Sequence, residues 1–317
     1  MSGWQTTALG EFIEVKHGYA FKGAGFGTGG THRLVTPGNF YERGGFRDRG
    51  PSQKSYDGPV PDDYVLSPGS LVVAMTEQAP GLLGSSGRVP DDRQVWLHNQ
   101  RIGLVTVRNQ AADQGFLYYL FNEPSVRAQI NATATGAKVR HTAPGRIQAV
   151  RAAMPSLPTQ RRIAAALSAF DELIEINERR IELLENLARS LYREWFVRFR
   201  FPGHEDVDLV DSELGPIPEG WVAARLSDFV TTQYGLTASS SEHQVGPNFL
   251  RGMDINKRSY VNWANVPYCV ADEEERERFG LEVGDICVIR MADPGKVGIV
   301  ERPVQAVFAS YLARILQ

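Results

Sequence analysis

The sequence is poor in cysteine and has no long apolar run. Its two cysteines, Cys269 and Cys287, are 18 positions apart and outside any CxxC pattern, which is typical of reduced thiols in a cytoplasmic protein. No run approaches the roughly 20 apolar residues that span a bilayer. The first ten residues also lack the apolar core of a signal peptide. We therefore expect a cytoplasmic protein that makes no membrane contact.

An excess of positive charge is also absent. The 34 basic and 37 acidic residues give a formal net charge of −3, whereas a protein that coats nucleic acid is far more basic. The balance changes along the chain, from +3 over residues 1–150 to +2 over 151–201 and −8 over 202–317. A DNA ligand would therefore have to be contacted by local basic patches.

Motifs of catalytic and phosphate-binding sites are missing. GLLGSSGR (81–88) lacks the Gly-Lys-Ser/Thr ending of a P-loop. GFGTGG (25–30) fits G-x-G-x-x-G but leads into a predicted strand, whereas a dinucleotide site needs a helix there. The histidines and cysteines show no metal-ligand spacing, and neither GxSxG nor the Asn/Asp-Pro-Pro-Tyr motif of adenine methyltransferases occurs. We predict a chain with no active site, metal site or cofactor of its own.

The chain does contain an internal repeat. Four residues of the first copy recur 217 positions later in the second: Trp4, Leu9, Phe12 and Gly18 match Trp221, Leu226, Phe229 and Gly235. The offset falls to 215 where the runs 66–73 and 281–288 match, and to 211 where Gly87 and Val89 match Gly298 and Val300. Residues 107–200, 94 positions of the first copy, have no counterpart, so a complete second copy would end near residue 411.

Each copy has the pattern of an α+β domain. Short β-branched runs that follow Pro or Gly, such as 65–75 and 281–291, predict strands. Residues 115–132 predict a helix broken near Pro124. The fold class we expect is therefore α+β and β-rich, with a twisted sheet and long connecting loops in each copy.

Between the copies, residues 160–200 contain no proline or glycine and carry an apolar seam. Steps of four and three residues alternate along it through Ile163, Leu167, Phe170, Ile174, Asn177, Ile181, Leu184, Ala188, Leu191 and Trp195. A 3.5-residue repeat sustained over four heptads predicts a coiled-coil-type helix that packs on another helix. We expect a spacer roughly 60 Å long, with Asn177 as a polar residue that sets the register.

The segment from Thr135 onward resembles the conserved region of specificity subunits of type I restriction–modification enzymes. The elements that carry the likeness are Thr135-Gly136, the Pro-Leu-Pro-like 154–158, Gln160 and Ile163-Ala164 at the start of the long helix. A second hallmark, LGPIPEGW (214–221), stands just before the second copy. Repeat, spacer and re-entry sequence together cover essentially the whole chain.

The resemblance implies a domain organisation. It comprises a first target recognition domain (1–157), a spacer helix (158–201), a linker (202–216) and a partial second target recognition domain (217–317). Each recognition domain would read one half of a split double-stranded DNA site. Methyltransferase subunits carrying S-adenosylmethionine would dock on the spacer helix, and motor–nuclease subunits that use ATP and Mg would join them for cleavage. The chain itself would be non-catalytic.

Readout of DNA requires basic, amide and aromatic side chains on exposed loops. In the first copy the candidates are Lys16, His17, Tyr19, Lys22, Asn39, Tyr41, Arg43, Arg47, Arg49, Lys54, Asn99, Arg101, Lys138 and Arg140. In the second copy they are Tyr234, Arg251, Asn256, Lys257 and Arg258. The acidic run 272–275 is expected on a solvated helix face turned away from DNA.

Two alternatives remain open from the sequence alone. The first is a half-subunit without its second helix, which would act as a methyltransferase-binding scaffold or would dimerise through the spacer helix and so restore two recognition domains. The second is a β-rich enzyme. It would need a pocket with convergent titratable groups, which the sequence does not indicate.

Overall fold

The computed structural model describes residues 4–27, 30–78, 80–108, 110–255 and 260–316. The chain forms two compact units, Met1–Ala188 and Arg189–Gln317. Within the described ranges, no helix is both long enough and apolar enough to cross a membrane.

The strands of the first unit are short and are separated by long loops. They are β1 (Gln5–Ala8), β2 (Ile13–His17), β3 (Phe26–Gly27), β4 (His32–Val35), β5 (Ser55–Tyr56), β6 (Val65–Leu66), β7 (Leu71–Ala74), β8 (Thr76–Glu77), β9 (Ser86–Arg88), β10 (Val95–His98), β11 (Ile102–Val107), β12 (Arg140–His141) and β13 (Arg151–Met154). The helices are α1 (Gln114–Asn122), α2 (Pro124–Ala132), α3 (Pro144–Gln148) and α4 (Leu157–Tyr192). The break near Pro124 is confirmed, as is the strand after the G-x-G-x-x-G segment.

Two sheets form the centre of this unit. One is antiparallel with the order β2-β11-β7-β9, and the other has the order β3-β5-β4-β10-β6, with β4 and β10 parallel. All four residues of β7 are buried because its two faces meet different cores. Leu71 and Val73 pack with α1 and α2, whereas Val72 and Ala74 pack with Trp96 of the second sheet. This explains why β7 has a continuous apolar sequence without alternation.

The beginning of α4 is bonded to the rest of the first unit. Gln160 is 1% exposed; its amide accepts a hydrogen bond from Asp113 N (2.8 Å) and donates one to Pro155 O (2.8 Å). One turn later Ala164 is buried, and the Tyr119 hydroxyl donates to Asp171 Oδ2 at 2.7 Å. The first four turns of the spacer helix are therefore held against the sheet domain.

The second unit repeats the strands of the first. Its strands are β14 (Leu209–Val210), β15 (Ile217–Pro218), β16 (Thr231–Tyr234), β17 (Asn248–Leu250), β18 (Ile286–Ile289), β19 (Val297–Ile299), β20 (Ala306–Phe308) and β21 (Leu312–Leu316), and its α-helical segments beyond α4 are α5 (Gly252–Ile255) and α6 (Glu273–Phe279). The order β16-β21-β18-β19 reproduces β2-β11-β7-β9, and β17 pairs with β20 in parallel as β4 does with β10.

The pairing register defines which residues correspond. Ala74 pairs with Ile102 and Ile289 pairs with Leu312, so the offset at the last strand is 210, one less than the sequence alignment predicts. The matched glycines Gly18 and Gly235 occupy the same crossing point. A Cβ atom there would lie 2.0 Å from Asn99 O in the first unit and 2.1 Å from Phe308 O in the second. Only glycine fits this backbone approach.

One face of the repeated sheet differs between the units. Leu9 and Leu71 are fully buried, but their counterparts Leu226 and Ile286 are 69% and 36% exposed. The elements that cover Leu9 and Leu71, helices α1 and α3 with strand β13, have no counterpart in the described part of the second unit. The difference in burial follows from this missing layer.

The spacer helix ends earlier than the sequence predicts. The α-helix stops at Tyr192, a π-helical turn follows over Arg193–Val197, and Phe199 has a φ of 56°. The rings of Phe196, Phe199 and Phe201 all contact Trp221, with centroids 5.5–5.9 Å away. In a continued α-helix Phe201 would lie about 140° around the axis from Phe196, so this aromatic cluster requires the chain to leave the helix.

Candidate nucleic-acid interface

Backbone hydrogen bonds bring three predicted DNA-binding segments to one edge of the first unit. Tyr19 N donates to His98 O (2.8 Å), Met75 N donates to Arg101 O (2.9 Å), and Thr142 N donates to Met75 O (2.9 Å). We call residues 16–19, 75–77, 98–101 and 138–142 the strand-end edge. Segments that are more than 100 residues apart in sequence are therefore neighbours in the fold.

The side chains of the strand-end edge differ in their availability. His17, Arg101 and Lys138 are exposed. Lys16 is half-buried, with its Nζ 2.8 Å from Asp63 O and 4.6 Å from the centre of the Tyr64 ring. Tyr19 is also half-buried and packs at 5.1 Å on the same ring, whereas Lys22, just beyond the edge, is exposed.

Asn99, a predicted DNA contact, is buried and hydrogen-bonded within the protein. It is 7% exposed, and its Oδ1 accepts the backbone N–H of Arg101 at 3.1 Å. The adjacent His98 is fully buried, and its Nε2 lies 2.8 Å from Ile102 O. Burial lowers the pKa of His98 to about 4, so its ring is neutral at physiological pH. We leave Asn99 out of the proposed DNA contacts.

Arg140 also has an internal partner. Its Nη1 lies 2.9 Å from Oε1 of Glu77, which is 1% exposed, and its Nη2 donates to Asn131 O at 2.9 Å. The β8–β12 pairing places Arg140 directly opposite Glu77. The guanidinium is thus engaged inside the protein, although part of its side chain still reaches solvent.

The remaining candidates of the first unit surround a second feature, the reading loop, which we define as residues 40–46. Phe40 and Phe46 form an isolated bridge at its base, and the residues at its tip include Gly44 and Gly45 with φ values of 94° and 99°. Tyr41 is 52% exposed, with the Arg47 guanidinium 5.9 Å from its ring centre. Arg43, Arg47 and Lys54 are exposed, and Arg49 is half-buried.

Asn39, at the base of this loop, is unavailable to a ligand. It is fully buried; its Oδ1 accepts from Thr36 N (2.9 Å), and its Nδ2 donates to Gln53 Oε1 (2.6 Å) and Arg47 O (3.1 Å). The corresponding Asp254 in the second unit accepts from Arg251 N at 2.9 Å. The predicted residue Asn39 thus occupies a position whose hydrogen bonding recurs in the second unit, and its side chain joins the two ends of the loop.

In the second unit the same edge carries different chemistry. Tyr234 is 58% exposed, and the guanidinium of Arg290 lies 4.2 Å from its ring centre. Arg290 N donates to Tyr311 O at 3.0 Å, which reproduces the bond from Met75 to Arg101. Sequence reasoning missed Arg290 and Tyr311. The offset of 210 from Arg101 to Tyr311 is the signal that identifies this position.

Arg251, another predicted contact of the second unit, is paired with a neighbouring carboxylate. Nε and Nη2 of Arg251 donate to Oδ2 and Oδ1 of the Asp254 carboxylate, at 3.1 and 3.0 Å, and this hydrogen bonding raises the pKa of Arg251. Arg251 is thus neutralised by a local partner. The predicted contacts Asn256, Lys257 and Arg258 lie outside the described residues.

The apolar seam of α4 is open to solvent in this chain. Ile163 packs against the first core, but the later seam residues are exposed: Leu167 (40%), Phe170 (66%), Ile174 (56%), Ile181 (50%), Leu184 (64%) and Leu191 (43%). Asn177 is exposed with them. Trp195, the last predicted seam residue, lies in the π-helical turn and has left the α-helical register. The seam therefore runs from Ile163 to Leu191.

No cluster of three or more His, Cys, Asp or Glu side chains in the described ranges is arranged to hold a metal ion. The two cysteines are buried thiols, and burial raises the pKa of Cys287 to about 12. Basic and aromatic side chains are exposed on loops of both units, together with exposed acidic side chains in the second unit. Basic and aromatic side chains are the kinds that contact phosphates and bases in nucleic-acid-binding proteins.

Comparison with known proteins relates the chain to a family. The family model described as type I restriction modification DNA specificity domain matches residues 1–186. The chain is 33% identical over 130 residues to the specificity subunit of the type I restriction enzyme MjaIX of Methanocaldococcus jannaschii, covering 40% of this chain and 29% of the relative. It is 23% identical over 281 residues to the EcoBI specificity subunit of Escherichia coli, covering 84% of this chain and 57% of that one.

The architecture also has a solved counterpart. The crystal structure of the type I restriction–modification system S subunit from M. genitalium matches with a TM-score of 0.60 at 14% identity, covering 99% of this chain and 72% of that chain. This likeness shows the shared fold of sheet domain and long helix. Because the family model covers more than half of its length, the chain belongs to the type I restriction modification DNA specificity family.

Proposed function

We propose that this chain is the DNA-recognition subunit of a type I restriction–modification complex, without an active site of its own. The observation that carries the proposal is that one sheet architecture occurs twice, with the same strand pairing and the same glycine crossing in each unit. The loop side chains differ between the units. A repeated scaffold with different exposed side chains is what reading two different half-sites requires.

We further propose that the first target recognition domain (1–157) and the partial second one (217–317) each read one half of a bipartite duplex. The proposed contacts of the first domain are Lys16, His17, Tyr19, Lys22, Tyr41, Arg43, Arg47, Arg49, Lys54, Arg101 and Lys138. In the second domain, Tyr234, Arg290 and Tyr311 take part, with Asn256, Lys257 and Arg258 retained from the sequence. Most lysines and arginines would contact phosphates, and the tyrosines and His17 would contact base edges.

The seam of α4 is the proposed docking surface for methyltransferase subunits. Its leucine and isoleucine side chains from Leu167 to Leu191 are 40–64% exposed, which is unfavourable in water unless another helix covers them. In this proposal the methyltransferase subunits bind S-adenosylmethionine, and motor–nuclease subunits bind ATP and Mg. The described residues of this chain would contribute neither the methyl transfer nor the cleavage.

Methylome mapping tests the proposal. The chain is co-expressed with the methyltransferase subunit of its own system in a host without adenine methylation, and N6-methyladenine is mapped genome-wide. We expect one split motif that disappears when the chain is omitted. Methylation without a sequence motif would favour a scaffold, and methylation unchanged without the chain would contradict a role in recognition.

The open seam also supports the second candidate, self-association that restores two complete readers. Light scattering of the purified chain separates the two possibilities. A dimer that dissociates when methyltransferase subunit is added indicates competition for one seam. A dimer that stays associated while it binds methyltransferase supports the restored-reader arrangement.

A further inference from the structure

Arg127 of α2 contacts three backbone carbonyl groups on two loops. Its Nη1 donates to Glu42 O (2.9 Å) and its Nε to Leu83 O (2.9 Å), and its Nη2 donates to Gly81 O. Burial lowers the pKa of this guanidinium, with Glu77 and Glu42 opposing the effect. A planar guanidinium with several donors can hold several carbonyls at once, which a lysine ammonium does with less directional control.

The helix that carries Arg127 is fixed in the core. Val126 and Ile130, on either side of it in α2, are 1% and 0% exposed and pack in the same cluster as Leu71 and Phe116. The guanidinium therefore projects from a rigid base, and the carbonyl of Glu42 is held one residue before Arg43. Arg43 is an exposed residue of the reading loop.

Glu77 completes the same network from the other side. One carboxylate oxygen accepts the backbone N–H groups of Gly81, Leu82 and Leu83 at 3.1, 2.9 and 2.8 Å, and the other oxygen contacts Arg140. Glu77 thus fixes the segment 81–83, whose Gly81 and Leu83 carbonyls Arg127 binds. The chain of contacts runs from the strand-end edge through Glu77 and Arg127 to the reading loop.

The reading loop has few other attachments near its tip. Gly45 N donates to Ser86 O (2.9 Å), Ser85 Oγ donates to Tyr41 O (2.7 Å), and Gly44 packs against Asn122 so closely that a Cβ would lie 2.2 Å from it. Among the described residues, only Arg127 donates a hydrogen bond to the Glu42 carbonyl. Loss of Arg127 would therefore release the Glu42 carbonyl near the tip of the loop, whereas the base of the loop, at Asn39 and Arg47, would keep its bonds.

We propose that Arg127 is a positioning residue for DNA recognition, which, with Glu77, sets the reading loop in its binding conformation without touching DNA. This inference rests on the proposed function. A preformed loop avoids the conformational cost of ordering it on binding, so its loss lowers affinity for the correct sequence more than for any other. It also reassigns Arg140 from a DNA contact to a member of this network.

The first test measures the loop without DNA. Amide hydrogen exchange of the full chain is compared for the wild type, Arg127→Lys and Arg127→Gln, with Arg151→Lys as the matched control because Arg151 donates to the Thr6 carbonyl, away from the reading loop. We expect at least tenfold faster exchange at Tyr41, Gly44 and Gly45 in both Arg127 variants, and unchanged exchange in the control. Unchanged protection in Arg127→Lys and Arg127→Gln would overturn the positioning role, whatever the chain binds.

The second test measures recognition. A randomised duplex pool is selected on the complex of the chain with its methyltransferase subunit, and binding to the selected duplex is compared with poly(dI-dC) across salt concentrations. Arg127→Lys should lower the ratio of specific to non-specific affinity about tenfold and leave the salt dependence unchanged, whereas loss of a phosphate contact lowers the salt slope by about 0.9. A reduced salt slope in Arg127→Lys would instead make Arg127 a DNA contact. If the wild type selects no sequence, the proposed function fails while the exchange result still decides the positioning role.

Discussion

The substitution Leu184→Asp tests the proposed docking seam most directly. Leu184 is 64% exposed in the chain alone, so a partner helix can bury roughly two thirds of it. Full burial of a leucine is worth about 1.5–3 kcal/mol, which makes the lost contact worth about 1–2 kcal/mol. Placing an unpaired carboxylate in an apolar seam adds roughly 2 kcal/mol or more. The total of about 3 kcal/mol corresponds to a loss of roughly 100-fold in affinity.

The same substitution should barely affect the chain by itself. Because Leu184 is 64% exposed in the chain alone, Leu184→Asp removes little burial and mainly changes the helix propensity, by about 0.5 kcal/mol. The midpoint of thermal unfolding should therefore stay within a few degrees of the wild type. The prediction is thus a large effect on assembly together with a small effect on folding.

Titration calorimetry with the methyltransferase subunit and light scattering of the chain alone measure the two proposed assemblies. The matched controls are Leu184→Met, which keeps the apolar volume, and Glu182→Gln, which lies about 200° around the helix from Leu184. Both controls should bind like the wild type. If Leu184→Asp leaves both the affinity and the mass unchanged, the seam is not a docking surface and this reasoning fails.

Three further predictions concern the recognition units. Arg43→Ala combined with Arg47→Ala should weaken DNA binding and lower the salt slope by about 2, with the near-UV circular dichroism unchanged; equal affinity at low salt would remove the reading loop from the interface. Exchanging residues 1–150 for those of a relative should change one half of the methylated motif, and a change in both halves would refute the modular arrangement. His98→Phe, which installs the residue of the second unit (Phe308), should reduce the acid sensitivity of folding. Burial depresses the pKa of His98 from 6.5 to about 4, so the free energy of unfolding of the wild type should fall by about 3 kcal/mol as the pH drops from above 6.5 to 4. If urea unfolding shows the same loss of stability between pH 7 and 4.5 in the wild type and in His98→Phe, the prediction is wrong.

Local pattern was sufficient for the elements that depend on few contacts. The spacer helix was predictable because its 3/4 spacing, its N-terminal proline and the lack of glycine act within a few turns. Its end was not predictable, because the rings of Phe196, Phe199 and Phe201 contact Trp221, which lies 20 to 25 residues further along the chain. The repeat was also readable, since Gly18 and Gly235 are each fixed by a backbone crossing that tolerates no side chain.

The sequence by itself determined the class of this protein: two like-built α+β units with an exposed apolar helix between them in the chain, and a surface chemistry of basic and aromatic loops. Only the tertiary structure decided which polar side chains remain free. Asn39 and Asn99 are of a residue type that often contacts DNA, but both are buried. Arg140 is hydrogen-bonded to the carboxylate of Glu77, 63 positions earlier in the chain. Arg127 and Glu77 drew no attention in sequence. The physical reason is that a hydrogen bond to a backbone carbonyl or amide depends on where distant segments meet, and residue type alone does not encode that position.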